Sequence, residues 1–125
     1  MEEAHTSAFI FEAQAAMSPP LPGSAVRGSQ SGRPLMALFD LLGRRWAMRI
    51  LWELNHSQPT FRELQILCDG ISSSVLNTRL AEMRAAMLIE LNDYGYSLTP
   101  LGKELMQLIA PLREWSKQWE ESLKD

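Results

Sequence analysis

A group of small polar side chains offers the clearest chemistry in this sequence, which is hydrogen bonding to the edges of DNA bases. Its members are Ser72, Ser73, Ser74, Asn77 and Thr78. If residues 72–86 form a helix, its period of about 100° per residue puts Leu76, Leu80 and Met83 on one apolar stripe behind these groups. A helix that enters the major groove needs such an outer surface, because small side chains allow close approach and polar ones bond base edges. The alternative is an ordinary solvated helix face.

Several arginines could complement this group by contacting phosphates. Arg62 lies in the first turn of the preceding predicted helix, and Arg44 and Arg45 lead into an earlier one. Backbone N–H groups at helix starts also point at anions, so these positions suit phosphate contacts. The alternative for all three is surface charge of little consequence. Arg79 lies nearer the apolar stripe, where pairing with Glu82, contact with a phosphate and contact with a base all remain open.

Other kinds of chemistry have less support in the sequence. The one cysteine, Cys68, follows an apolar helix, where a small buried hydrophobic role is more common than redox sensing. His5 and His56 are separated and lack Cys or carboxylate neighbours at metal-ligand spacing. The sequence contains no Gly-rich phosphate loop, nucleophile elbow or HExxH motif. We therefore predict no enzymatic activity, no cofactor and no metal site.

Charge is distributed unevenly along the chain. The net charge is −3, so the protein as a whole is not a basic nucleic-acid-binding surface. Residues 44–84 nevertheless hold six basic side chains against four acidic ones, whereas residues 85–125 hold four basic against seven acidic. The basic middle of the chain suits a surface that faces phosphate, with the acidic remainder turned away from it.

Composition also bears on the compartment. A single cysteine excludes an internal disulfide, which fits a reducing cytosol. No run approaches the ~20 apolar residues that span a bilayer. Glu2 and Glu3 stand where a signal peptide has basic residues. We therefore predict a cytoplasmic protein with no membrane partner.

Helical periodicity and capping residues predict the elements that position these side chains. Helices are expected over residues 34–42, 46–55, 60–68, 72–86 and 100–124. The third of them begins with Thr60 and Glu63, which form a capping-box pattern. Short strands over residues 88–92 and 96–99 flank a turn in which Gly95 supplies a positive φ. The predicted fold class is mainly α with a small β-hairpin wing, a winged helix-turn-helix.

The first 33 residues differ in composition from the rest of the chain. Residues 18–33 are rich in Pro, Gly and Ser, which is typical of a flexible or extended linker. Residues 6–17 carry apolar side chains at helical spacing and could form a short docking helix. We therefore predict an N-terminal tail or linker over residues 1–33, poorly ordered or loosely docked, followed by a winged helix-turn-helix domain over residues 34–125.

Apolar residues in the last predicted helix alternate at spacings of four and three. They are Leu101, Leu105, Leu108, Leu112, Trp115 and Trp119. A repeat of about 3.5 residues is typical of a seam against another helix, so we predict a homodimer whose interface includes the last five of these side chains. Pro111 interrupts the repeat and predicts a kink or a restart of the helix. The four tryptophans could instead line a pocket for an unknown small-molecule effector, although core and dimer packing is the favoured role.

Five blocks of residues occur in order along the chain with short gaps. They are Pro34 with Leu38-Phe39-Asp40-Leu41-Leu42-Gly43-Arg44-Arg45-Trp46, then Ile50-Leu51-Trp52-Glu53-Leu54, Phe61-Arg62-Glu63-Leu64, Gly70-Ile71-Ser72 with Val75-Leu76, Arg79-Leu80 and Met83, and Tyr96-Ser97-Leu98-Thr99-Pro100-Leu101-Gly102. In this order they resemble the HxlR-type winged helix-turn-helix regulators, relatives of the MarR-like group. The resemblance covers residues 33–113. It implies a homodimer joined by its long terminal helices, with one recognition helix per subunit in successive major grooves.

The sequence departs from the pattern of that family at four places. Arg33 stands where some members carry a Cys used as a redox switch. Ser72-Ser73-Ser74 replaces a common Ser-Pro-Lys, which removes a basic contact, and Met87 replaces a usual Gly before the first wing strand. The turn Asn92-Asp93-Tyr94-Gly95 carries no Arg or Lys. These departures weaken the phosphate contacts that dominate DNA affinity.

Two hypotheses for function follow from the sequence. The first is a sequence-specific DNA-binding transcriptional regulator of the HxlR type, with residues 72–86 in the major groove of double-stranded DNA. The second is a winged-helix module for protein interaction or dimerisation, in which DNA binding is weak or lost. The acidic C-terminal third, the wing without basic residues and the isoelectric point near 5.4 favour the second.

Overall fold

Five helices and one β-hairpin make up the fold of the part that the computed structural model describes, residues 19–124. In chain order they are α1 (Pro34–Leu42), α2 (Ala47–Leu54), α3 (Phe61–Leu67), α4 (Ser73–Ala85), β1 (Ile89–Asn92), β2 (Gly95–Leu98) and α5 (Pro100–Ser122). This arrangement confirms the predicted fold class, mainly α with a hairpin wing. The docking helix predicted over residues 6–17 lies outside the described residues. Between residues 19 and 124, no helix combines the length and the apolar composition that crossing a membrane requires.

Side-chain caps start three of the helices where the sequence predicted them. The Thr60 hydroxyl accepts a hydrogen bond from the N–H of Glu63 at 3.2 Å, and the Glu63 carboxylate accepts one from the N–H of Thr60 at 2.9 Å. Ser72 caps α4 and Thr99 caps α5 in the same way, through one hydroxyl each. Caps of this kind satisfy N–H groups that have no partner inside the helix.

The turn between α1 and α2 differs slightly from the prediction. Gly43 ends α1 as expected, but α2 begins at Ala47, because Trp46 has a left-handed backbone with φ 76°. A bulky residue rarely adopts this conformation. The Trp46 side chain packs against the buried core, which compensates for the backbone conformation.

One apolar core joins the helices to the hairpin. Its buried members are Leu41, Ile50, Leu51, Leu54, Leu64, Cys68, Ile71, Leu76, Leu80, Met83, Leu88, Ile89, Tyr96, Leu98 and Met106. Every described element contributes to this core. The last member lies in the second turn of α5, and all residues from 110 to 124 are exposed. The C-terminal half of α5 therefore extends beyond the core.

The hairpin is attached to the loop between α2 and α3. Its two strands pair antiparallel, with Asn92 opposite Gly95. The N–H of Tyr96 donates to the carbonyl of Pro59 at 2.8 Å. A Cβ at Gly95 would lie 2.5 Å from that same carbonyl oxygen, and Gly95 has φ 146°. The glycine thus provides the positive φ predicted for the turn and allows the strand to approach the loop closely.

The N-terminal arm, residues 19–33, folds back on itself and contacts α1. Val26 and Ser29 exchange two backbone hydrogen bonds of 2.9 and 3.1 Å. The backbone N–H of Arg27 donates to the carboxylate of Asp40 at 3.0 Å. The composition predicted a flexible or extended linker, poorly ordered or loosely docked. The structure shows a compact turn, and its contact with α1 comes from Asp40, 13 positions further along the chain.

Helix α5 runs without interruption from Pro100 to Ser122. Pro111 cannot donate a hydrogen bond to the carbonyl of Gln107, yet the helix continues through it. The sequence predicted either a kink or a restart of the helix at Pro111, and the continuous helix shows that it does not restart there.

Candidate nucleic-acid interface

Helices α3 and α4 with the turn between them form a helix-turn-helix. The turn uses left-handed backbone at Asp69 (φ 56°) and Gly70 (φ 80°), a conformation that glycine adopts without strain and aspartate tolerates. The N–H of Gly70 donates to the carbonyl of Gln65 at 2.9 Å. This turn brings the start of α4 next to α3.

The outer face of α4, defined as Ser73, Ser74, Asn77 and Thr78, is accessible in the described chain. The first three of these residues are exposed and Thr78 is partly exposed. The opposite side of the helix is buried, with Leu76 and Met83 fully covered and Leu80 2% exposed. The structure therefore places the predicted polar surface outside and the predicted apolar stripe inside.

The polar atoms on the outer face retain capacity for hydrogen bonds. Thr78 donates its hydroxyl hydrogen to the carbonyl of Ser74 at 2.9 Å, which leaves its oxygen able to accept. The Ser73 hydroxyl accepts from Gln65 at 3.1 Å, which leaves its hydrogen able to donate. The Asn77 amide forms no hydrogen bond with other residues in the 19–124 region. An amide in this position can form the paired hydrogen bonds that distinguish adenine in the major groove.

Gln65 positions the start of α4, a role that sequence reasoning missed. Its side-chain amide on α3 donates to the carbonyl of Ile71 at 3.1 Å and to the Ser73 hydroxyl at 3.1 Å. Gln65 is one of three polar residues in α3, and nothing in the sequence distinguishes it as the one that bonds to the start of α4. Its two bonds cross the turn and hold the first residue of α4 against α3.

Arg62 and Arg45 are two of the arginines that the sequence predicted as phosphate contacts. Both are exposed, and the structure assigns neither side chain an ion pair within the described region. Arg62 lies in the first turn of α3. Arg45 lies in the turn before α2, and its carbonyl accepts a hydrogen bond from Arg79 of α4 at 2.7 Å. The two guanidinium groups are therefore available to an anion from outside the chain.

Arg44 and Arg79, in contrast, are held inside the protein by Glu82. This carboxylate is 1% exposed although it belongs to α4. One of its oxygens pairs with Arg44 and the other with Arg79, the latter at 3.1 Å. Of the roles that the sequence left open for Arg79, the structure shows pairing with Glu82. A buried carboxylate requires such partners, because a charge that is removed from water and has no partner of opposite charge is costly in free energy.

Asp40 extends this cluster to the N-terminal arm. It is 7% exposed and accepts hydrogen bonds from the Arg44 side chain at 3.4 Å and from the Arg27 backbone at 3.0 Å. The arm, α1, the turn before α2 and α4 are thus joined by one set of charged contacts. The signals in the sequence are the pairs Asp40–Arg44 and Arg79–Glu82, spaced by four and three residues, but the bond between the pairs spans 38 positions.

Cys68 is a member of the apolar core. The thiol is buried, and burial raises its pKa above the ordinary value, with the nearby Arg49 partly opposing the shift. A thiol with a raised pKa remains protonated at neutral pH and reacts slowly. These properties favour the packing role over the redox sensor. Among residues 19–124, no cluster of three His, Cys, Asp or Glu side chains could hold a metal ion.

The predicted dimer residues run along α5 from the core into the half that extends beyond it. Leu105 is partly buried, whereas Leu108, Leu112, Trp115 and Trp119 are between 55% and 75% exposed. The rings of Trp115 and Trp119 stack with centroids 6.0 Å apart. This row forms a large exposed apolar surface of the kind that marks interaction sites.

Comparison with known proteins identifies related sequences. The family model described as HxlR-like helix-turn-helix matches residues 41–124. The uncharacterized HTH-type transcriptional regulator MJ0925 of Methanocaldococcus jannaschii is 28% identical over 91 residues, which cover 70% of this chain and 86% of the relative. The uncharacterized HTH-type transcriptional regulator YvaP of Bacillus subtilis is 26% identical, with 64% of this chain and 81% of the relative covered.

A solved structure shares the arrangement of elements. The crystal structure of quinone-bound YodB from B. subtilis superposes with a TM-score of 0.64 and 28% sequence identity. The match covers 67% of this chain and 96% of that one. The helix-turn-helix and hairpin described above thus belong to an arrangement that is present in a solved protein.

Proposed function

The chain belongs to the HxlR-like helix-turn-helix family, a family of DNA-binding transcriptional regulators, and we propose that it recognises a specific DNA sequence in the cytoplasm. The observation that carries this proposal is the outer face of α4. It presents small polar groups to solvent while the opposite side of the same helix is fully buried. The helix can therefore enter the major groove without any change in the core.

Each predicted site residue has a proposed role. The outer face of α4 contacts base edges, and Asn77 is the residue best suited to discriminate between bases. Ser72 caps α4 and orients backbone N–H groups towards a phosphate. Arg62 and Arg45 contact phosphates and set the register on the duplex. Arg44 and Arg79 are proposed to orient α4 through Glu82, since their guanidinium groups are engaged within the protein.

The wing makes a small contribution in this proposal. Residues 92–95 carry no basic side chain, and Tyr94 at the tip is 80% exposed. Phosphate contacts supply most of the affinity of DNA-binding proteins. The exposed arginines on or near the recognition helix are Arg45, Arg62 and Arg84. Three such groups give one subunit only weak binding, so the proposal includes a homodimer that doubles the contacts.

The exposed row on α5 is the proposed dimer interface. A symmetric pair of subunits places two copies of α4 in successive major grooves when their separation is about 34 Å, one turn of the duplex. Residues 110–122 of α5 are exposed, including the leucine and the two tryptophans predicted for the interface. Pairing with the same surface of a second copy would bury its leucine and tryptophan side chains.

The second candidate function, an interaction module with weak or lost DNA binding, is favoured by charge. The isoelectric point is near 5.4, and residues 85–125 carry seven acidic against four basic side chains. Repulsion between such an acidic surface and the phosphates of DNA lowers the affinity of the protein for DNA.

A salt titration distinguishes the two functions. Binding of the full chain to a random duplex is followed by fluorescence anisotropy as salt rises from about 50 to about 200 mM. A regulator should bind at low salt. The logarithm of its binding constant should then fall linearly with the logarithm of the salt concentration, with a slope that corresponds to several phosphate contacts. Absence of binding at the lowest salt would favour the interaction module. The variant Lys103→Ala, which removes a positive charge from an exposed position of α5, serves as a control and should keep the slope.

A further inference from the structure

A groove between α2 and α5 has no part in the proposed DNA contact. It has a volume of about 440 Å³, which lies in the range of small-molecule sites in proteins. Apolar side chains form much of its wall, among them Met48 and Trp52 from α2 and Met106 and Ile109 from α5. Arg113, from the exposed half of α5, adds a guanidinium group to this lining.

The guanidinium of Arg113 is stacked on Trp52. Its central carbon lies 4.6 Å from the centroid of the indole ring, a distance at which the cation is attracted to the ring face. Stacking occupies one face of the planar group and leaves the N–H donors at its edge. That edge matches the two oxygens of a carboxylate, which it can bind through paired hydrogen bonds.

No acidic side chain in the 19–124 region forms an ion pair with Arg113. The positions one helical turn away on α5 are Ile109, Ala110, Ser116 and Lys117. Glu53, an acid on α2, is already paired with Arg49 at 2.9 Å. Within residues 19–124, no carboxylate therefore pairs with the charge beside the groove.

His56 also contacts the indole of Trp52. Its ring centroid lies 4.4 Å from that of Trp52, and its Nδ1 lies 2.8 Å from the carbonyl of Trp52. Because a carbonyl only accepts, Nδ1 must carry the hydrogen. The Trp52 ring thus has an imidazole and a guanidinium as neighbours, and it forms the aromatic part of the groove wall.

We propose that this groove binds a small planar aromatic carboxylate. The ring of the ligand lies among Trp52, Met48 and Ile109, and its carboxylate pairs with the edge of Arg113. The indole of Trp52 favours an aromatic ring over a flexible chain, and a guanidinium without a carboxylate partner favours an anion over a neutral molecule. Since the groove joins the core helix α2 to the helix of the proposed dimer interface, its occupant is suited to the role of an effector.

The proposal is tested with 1-naphthoate and its neutral counterpart 1-naphthamide, each titrated into the full chain by calorimetry without DNA. The two probes share a ring system and differ in charge. We expect 1-naphthoate to bind with a dissociation constant below about 1 mM and 1-naphthamide to bind about tenfold more weakly. This result does not depend on DNA binding, so it stands or falls separately from the proposed function.

Variants locate the site on the protein. Arg113→Met keeps the length of the side chain and removes its charge, so it should abolish the preference for 1-naphthoate over 1-naphthamide. Lys103→Met removes one charge from an exposed position of the same helix and should preserve the preference. Absence of 1-naphthoate binding, equal binding of the two probes to the unmodified protein, or an unchanged preference in Arg113→Met would each overturn the proposal. The comparison of probes on the unmodified protein needs no variant to fold.

Discussion

Replacing Glu82 with glutamine tests whether the buried charge cluster orients the recognition helix. Glu82 is 1% exposed and pairs with both Arg44 and Arg79. The variant Glu82→Gln keeps the shape of the side chain and removes the negative charge between two guanidinium groups. The fold should persist, because the apolar core is unchanged, but its stability should fall.

The size of the effect follows from the exposure of the arginines. Removing one partner from a fully buried ion pair destabilises a protein by about 3–5 kcal/mol. Here the side chains of Arg44 and Arg79 are 26% and 18% exposed, and Arg44 keeps Asp40 as a partner. We therefore expect a loss of about 2 kcal/mol, which corresponds to a fall in Tm of about 6–12 °C.

Urea unfolding followed by circular dichroism measures this loss. The matched control is Glu90→Gln, which changes the same groups at an exposed position of β1 and should alter stability by less than about 0.5 kcal/mol. At concentrations of urea where both variants remain folded, Glu82→Gln should also show a smaller difference in affinity between a selected and a scrambled DNA duplex, since α4 is less firmly held. A stability equal to that of Glu90→Gln would refute the role assigned to the cluster.

Three further predictions concern the DNA contacts, the dimer and the thiol. Arg62→Ala should lower the salt slope of binding to random duplex DNA by about 1, and a slope equal to that of the unmodified protein would remove Arg62 from the phosphate contacts. Replacing Trp115 and Trp119 together with alanine should shift the protein towards monomer in sedimentation velocity, and an intact dimer would place the interface elsewhere. Cys68 should react with iodoacetamide slowly in the native protein and rapidly in urea. Burial raises the pKa of the Cys68 thiol in the folded state. The stability that the protonated thiol contributes is therefore complete below the ordinary thiol pKa, and it declines as the pH rises through the raised pKa of the folded state. Rapid labelling of the native protein would contradict its burial.

Features that depend on neighbouring residues could be predicted from the sequence. The capping box of Thr60 and Glu63 and the cap of Thr99 need only residues three positions apart. The same holds for the buried stripe of α4, which follows from helical periodicity. These interactions form within one turn, so the sequence pattern contains all the information that they require.

Features that depend on distant partners could not be predicted in the same way. The N-terminal arm has the composition of a linker, yet Asp40 on α1 holds its turn through the backbone of Arg27. Arg44 was expected to contact phosphate, but a carboxylate 38 positions away takes its side chain. The close approach of Gly95 to Pro59 likewise brings together segments that the pattern does not connect.

The groove between α2 and α5 shows a different limit. The sequence suggested that tryptophans could line an effector pocket, and one of them, Trp52, does line the groove. Arg113 is the other decisive residue, and it lies 61 positions further along the chain. Only the packing of α5 against α2 stacks the two side chains.

The central claim is that the outer face of α4 reads DNA sequence, and Asn77 tests it most directly. A duplex selected from a random pool by the unmodified protein is compared with a scrambled duplex at one salt concentration. The unmodified protein should prefer the selected duplex, and Asn77→Ala should lose about 1–3 kcal/mol of that preference while binding the scrambled duplex equally well. An Asn77→Ala variant that retains the full preference, or an unmodified protein from which no preferred duplex can be selected, would contradict the claim.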